Sequence, residues 1–197
     1  DFLINYIQKE QSNWKIIPQL FCGDNFQDCI VLVFGKPRTA IFAHMDSVGY
    51  TVRYGNELVR IGKPMAKAGT KLSGEDSKGI IECKLNIKKD GSLRFKFTRS
   101  VDRGTSLVYK HNFRETNDFV QNCYLDNRLG IWCALQVARN LKDGIIVFSS
   151  WEENAGGSVG YLSRFMYEKF NVTQALISDI TWVTDGVHAG KGVAISM

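Results

Sequence analysis

Three separate segments of this 197-residue chain run from apolar residues straight into side chains able to bind a metal ion or move a proton. IFAHMD ends at His44 and Asp46, IIVFSSWEE at Glu152 and Glu153, and ALISD at Asp179. Apolar runs such as Ile145-Ile146-Val147-Phe148 read as strands buried on both faces. In open α/β sheets, functional groups gather where such strands release their carboxyl ends. Asp126, opening the helix-like stretch DNRLGIWCALQVARN, adds another carboxylate. One imidazole and several carboxylates at one sheet edge are what a hydrolytic metal centre needs.

Each of these residues also has an ordinary explanation. A histidine closing a strand is often only hydrogen-bonded in place. The aspartate two positions on changes the weighing, because strand alternation puts His44 and Asp46 on one face. A carboxylate there can hold the second ring nitrogen and fix the tautomer that metal binding requires. Asp126 fits a helix N-cap, and a carboxylate with two oxygens for two cations fits the same place. Glu152 and Glu153 can be a solvated pair. At a strand exit, however, neighbours point in different directions, so one can bind metal while the other faces substrate as a base. Asp179 reads equally as a loop cap or as a ligand, and Asp185 and His188 follow within ten residues. Singly none decides; together they favour a metal site.

The elements that must position these groups follow from periodicity. Residues 1–10 set Phe2, Leu3, Tyr6 and Ile7 on one helical stripe. WKIIPQLF carries Pro18 and fits an edge strand. CIVLVFG and TAIFAHM form two apolar strands joined by the turn GKPR. From about Tyr50 the texture changes to short alternating segments (YTVRY, ELVRI, IIECKLNI, SLRFKF, TSLVYK) with close turns, the pattern of a small antiparallel barrel or sandwich. After Phe119 the spacing predicts a helix over 127–141, a strand over 144–150, a helix over 157–170 and a strand over 174–178. On the first of these helices Leu129, Trp132, Leu135 and Ala138 keep helical spacing. The fold class expected is therefore α/β: a mixed-sheet domain over 1–58 and 119–197, interrupted by a small all-β, barrel-like insertion over 59–118. Because the first residue is Asp1 and not Met, further residues are expected to precede it.

Composition narrows the partners. Hydrophobic content of 44% and charged content of 23% are those of an ordinary globular protein. The net charge is a mild +5. Basic residues gather in RFKFTRSVDR and between Lys84 and Lys96, without the aromatic arrangement of an RNA-binding sheet, and read as a solvated strand face. No nucleic-acid partner is expected. Nor is a membrane partner, since no apolar stretch approaches the ~18–20 residues of a spanning helix. The five cysteines, Cys22, Cys29, Cys83, Cys123 and Cys133, are odd in number and scattered, with no CxxC. They indicate neither a disulfide framework nor a thiolate zinc cluster and fit a reducing cytoplasm. Cys133 reads as filler on the apolar face of its helix.

Four ordered segments, AHMDSVGY (43–50), YLDNRLG (124–130), SWEENAGG (150–157) and SDITWVTDG…GKGVAIS (178–196), resemble the signature segments of the TET/glutamyl-aminopeptidase family of dinuclear metallopeptidases. AGTKLSGEDSKGII resembles that family's small barrel and falls where the family carries it. The resemblance implies that His44, Asp126 and Asp179 hold one divalent cation, and that Asp126 bridges to a second one bound also by Glu153. It implies Glu152 as general base and Asp46 as the residue orienting His44. It also implies a cis peptide between Asp126 and Asn127. Zn, Co or Mn suits such a donor set. Peptide substrates, removal of N-terminal residues and a homo-oligomer are the further expectations. The family completes its second metal site with a histidine well beyond the SDIT segment, and no counterpart occurs by Met197. Two alternatives follow: a related dinuclear deacylase or carboxypeptidase, and a metal-poor peptide-binding or assembly subunit.

Overall fold

The computed structural model describes residues 1–196. In chain order the first elements are α1 (Phe2–Glu10), β1 (Gln19–Phe21), β2 (Ile30–Phe34) and β3 (Thr39–His44). The next are β4 (Gly49–Val52), β5 (Glu57–Ile61), β6 (Lys71–Asp76), β7 (Gly79–Ile87), β8 (Leu93–Phe95) and β9 (Ser106–Tyr109). A two-residue ladder, β10 (Arg114–Glu115) with β11 (Val120–Gln121), precedes α2 (Leu125–Ala138), β12 (Gly144–Ser149), α3 (Val159–Phe170) and β13 (Gln174–Ile177). The chain divides into two compact units. The first comprises Asp1–Met45, Asp126–Phe148 and the chain from Arg164 onward; the second comprises Asp46–Leu125 and Ser149–Ser163. Among the described residues no helix is long and apolar enough to cross a membrane.

The first unit is built on a five-stranded mixed sheet of order β1-β2-β12-β3-β13. Every residue of β2 and of β12 is buried, as their apolar runs IVLVF and IIVF require. A short turn joins β2 to β3, yet β12 lies between them, antiparallel to β2 with Ile146 opposite Leu32. At that turn Gly35 has φ +51°, and a Cβ there would fall 2.4 Å from the backbone carbonyl oxygen of Lys142, so a side chain is excluded. As Pro18 suggested, β1 is an edge strand. β13 forms the other edge, parallel to β3 in the register Ala175↔Ala40 to Ile177↔Phe42. Ile7, Trp14, Leu32, Phe34, Ile146 and Phe148 lead the core of this unit.

Two helical stripes differ from expectation. Phe2 is 84% exposed, so α1 packs through Ile7 with Leu3, Ile4 and Tyr6. On α2 the buried face is Gly130, Ala134, Leu135 and Ala138, while Leu129 and Trp132 are exposed. Small residues at i, i+4 and i+8 let the helix lie close to its neighbours, and this outweighs the bulk of Leu129 and Trp132. Cys133 is exposed on the same helix, not filler on its apolar face.

The second unit contains a closed six-stranded barrel of order β4-β5-β8-β7-β6-β9, with antiparallel neighbours. Its interior holds residues from every strand, among them Tyr50, Leu58, Leu72, Ile81, Leu85, Phe95 and Leu107. β6 escapes a reading by alternation because KLSGED offers only Leu72 as a large apolar residue. Gly74 explains the gap: a Cβ there would sit 2.4 Å from the Ser106 carbonyl of β9. A closed barrel inserted in a mixed α/β chain is the architecture the sequence predicts.

Candidate metal centre

The end of β3 sets the first candidate ligand. His44 is 4% exposed, and its Nε2 lies 3.0 Å from Asp126 Oδ1 and 3.8 Å from Asp179 Oδ1. Asp126 stands at the entrance to α2 with φ −82° and ψ 106°, outside helical geometry, and its peptide to Asn127 is cis. Asp179 arrives by a different route. Parallel pairing of β13 with β3 continues one step, Ser178 N donating to Phe42 O at 2.7 Å, which delivers the next residue beside the carboxyl end of β3. Asp179 Oδ1 also accepts Ile180 N at 2.8 Å, so it caps the loop while facing the imidazole. A hydrogen bond to Asp126 alone would satisfy Nε2. Two carboxylates converging on one nitrogen are what a divalent cation takes, and the donor set fits such an ion.

Three residues that position these side chains are not among the candidate site residues read from the sequence. Asn127 is 2% exposed; its Nδ2 donates to Ser178 O at 2.8 Å and its Oδ1 accepts Gly130 N at 3.0 Å. Ser178 Oγ donates to Gly130 O at 3.2 Å. A Cβ on Gly130 would lie 2.1 Å from Asn127 Oδ1 and 2.3 Å from Ser178 O, so only glycine allows this approach. The first turn of α2 is thereby stitched to the end of β13, fixing Asp126 relative to Asp179. The available signal was Gly130 itself, since a glycine inside a helix costs about 1 kcal/mol and needs a reason.

Asp46, Glu152 and Glu153 meet in the second unit. Asp46 Oδ1 accepts Glu152 N and its Oδ2 accepts Glu153 N, each at 3.1 Å. One carboxylate thus holds both backbone amides of the pair after β12. The turn before them is demanding: Trp151 has φ +68°, a left-handed conformation that costs a non-glycine residue about 1–3 kcal/mol. Ser158 Oγ donates to Ser150 O at 2.7 Å across the same turn. Gly157 closes it, where a Cβ would come 2.3 Å from Trp151 Cβ. Gly62, after β5, packs against Glu153, with 3.2 Å between a Cβ placed there and Glu153 Oε2. Asp185 and His188 are exposed in the loop beyond β13.

No protein-family model matches the sequence, and no curated protein does. Solved structures share its fold. The TET aminopeptidase of Thaumarchaeota archaeon SCGC AB-539-E09 superposes with a TM-score of 0.74 at 11% identity, over 96% of this chain and 62% of that one. The Pyrococcus horikoshii TET1 peptidase, which can assemble into a tetrahedron or a large octahedral shell, gives 0.67 at 18% identity over 94% and 67%. An endoglucanase of Thermotoga maritima gives 0.64 at 16% identity over 89% and 59%. The chain thus spans about two thirds of the length of these proteins or less. The shared feature is the fold of the TET peptidases: a mixed α/β sheet interrupted by a barrel.

Proposed function

We propose that this chain is the core of a dinuclear metal-dependent aminopeptidase that removes N-terminal residues from peptides. The observation carrying this reading is the convergence of Asp126 and Asp179, from distant parts of the chain, on the buried Nε2 of His44. In this reading His44, Asp126 and Asp179 hold one divalent ion, Zn, Co or Mn, and Asp126 with Glu153 holds the second. Ions held there would supply Lewis acidity, towards a water and towards the scissile carbonyl. Glu152 takes the proton of the attacking water on its carboxylate and returns it to the leaving amine nitrogen. Asp46 keeps Glu152 and Glu153 in place through their amides and orients His44. The same reading gives a homo-oligomer, in a reducing cytoplasm that suits five free thiols.

Glu152→Gln tests the base. The variant is expected to keep the metal content of the native protein while turnover of aminoacyl p-nitroanilides falls about 10²–10⁴-fold. Wild-type turnover in that variant removes Glu152 from the role. A protein that takes up no Zn, Co or Mn overturns the metal reading, leaving a peptide-binding or assembly subunit. Cleavage of N-acylated in preference to free-amine substrates points to a deacylase.

A further inference from the structure

Four lysines stand side by side on the outside of the barrel. Lys71 of β6 pairs directly with Lys84 of β7. On the other side of β6, Lys110 N donates to Lys71 O at 2.9 Å, one step beyond the pair Leu72↔Tyr109. Lys96 follows Phe95, which pairs with Leu85, so the register carries Lys96 opposite Lys84. The flanking residues Leu72, Cys83, Leu85 and Phe95 are buried in the barrel, so alternation turns all four lysines outward. Like charges placed directly opposite on neighbouring strands destabilise a sheet. This row stacks them across four strands, at the ~4.8 Å spacing of adjacent strands.

The row also lines a groove of about 580 Å³, walled by Ala68 and Gly69. Gly69 N donates to Leu85 O at 2.7 Å and so holds that wall against β7. One acidic residue, Glu82, enters the groove and is paired with Lys110 at 2.6 Å. Among the described residues, Lys71, Lys84 and Lys96 have no ion-pair partner. The surrounding sequence sharpens the asymmetry: residues 46–125 hold fifteen Lys and Arg against nine Asp and Glu, more than the whole chain's net +5.

We propose that this groove binds an acidic stretch of polypeptide. Three uncompensated ammonium groups in a concave site raise the local potential and draw in negative charge. The row spans ~15 Å, which about five residues of extended peptide cover at ~3.3 Å each. Asn86, also in the groove, offers an amide donor and acceptor to a peptide backbone. Single-stranded nucleic acid is the less suitable occupant. It is held by stacking on aromatic side chains as well as by charge, and no aromatic residue lines the groove.

The test is fluorescence anisotropy on the full chain, with an N-acetylated, C-terminally labelled octaglutamate that an aminopeptidase cannot trim. Binding at low salt that weakens as ionic strength rises to ~0.15 M is expected. The triple variant Lys71→Gln/Lys84→Gln/Lys96→Gln should weaken it about tenfold or more. A charge-matched variant, Lys36→Gln/Lys78→Gln/Lys142→Gln, should stay within about twofold of wild type. The single change Lys84→Glu, reversing charge at the centre of the row, should weaken binding further than Lys84→Gln. Absence of binding at low salt overturns the proposal, as does equal loss in the two triple variants, which would mean net charge and not the groove. An oligothymidylate of equal charge that competes as well as the peptide overturns the assignment of ligand class. Because the probe is blocked and no turnover is measured, each result stands whatever becomes of the aminopeptidase reading.

Discussion

Asn127 carries no charge and coordinates nothing in the proposed site, yet two ligand-bearing segments depend on its amide. Replacing it by alanine leaves the Ser178 carbonyl and the Gly130 amide without their buried partner, which costs about 1–3 kcal/mol. The sharper expectation concerns the metal. Residues that orient ligands typically carry about 10–100-fold in metal affinity, so Asn127→Ala should raise the dissociation constant for Zn or Co by that factor while circular dichroism still reports a folded chain. An unchanged metal affinity would reduce Asn127 to a purely structural residue. His44, Asp126 and Asp179 could be picked out from sequence because each closes or opens an apolar run. Asn127 could not: its partner Ser178 lies 51 residues away, and an Asn after an Asp looks like any helix start. Asp46 was legible as a polar group at a strand end, but its two bonds to the amides of Glu152 and Glu153 are set by tertiary placement alone.

Among the elements, the β6–β7 hairpin shows how the barrel replaces apolar area with a polar lock. Arg99 donates to both oxygens of Asp76, at 2.6 and 2.7 Å, while Lys78 N and Asp102 N donate to the same carboxylate. Hydrogen bonding to Arg99 chiefly, supported by the two amides, holds Asp76 well below its ordinary value of 3.8 against the opposing effect of desolvation. A carboxyl whose folded pKa is depressed stabilises the fold fully above its unfolded value and loses that contribution as pH falls. Wild-type stability should therefore decline as pH drops below 3.8, and Asp76→Asn should be less stable at neutral pH with a flatter acid limb. Denaturant midpoints measured from pH 7 downward check this; parallel curves for the two proteins would discard the lock. Strands with clean alternation, such as ELVRI and IIECKLNI, were readable locally. β6 was not, because Gly74 serves a close approach to Ser106 and not a packing pattern. Nor was the sheet order: β12 enters between β2 and β3 through pairings more than a hundred residues apart in sequence, such as Ile146↔Leu32. The stripe on α2 misled for a related reason, since Gly130, Ala134 and Ala138 are buried for their small size.

At the scale of the whole chain, the proposed first ion would be held by residues 44, 126 and 179, one from each of three segments making up the first unit. An ion bound that way cross-links parts of the chain that are far apart once unfolded, so its binding free energy adds to the folding free energy. At a concentration ~100 times the dissociation constant the gain is about 2.7 kcal/mol, provided the unfolded chain binds little. A domain of this length shifts its melting temperature by about 2–4 °C per kcal/mol, so a rise of roughly 5–11 °C is expected. Chelation should reverse it. His44→Ala, though less stable from the outset, should show almost no shift on adding the same ion, because two half-exposed carboxylates without the imidazole make a poor site. Differential scanning fluorimetry with Zn or Co, with and without chelator, measures both. A wild-type transition that does not move, or one that moves equally in His44→Ala, would mean that these three residues meet for structural reasons and that the chemistry proposed for this chain has to be sought elsewhere.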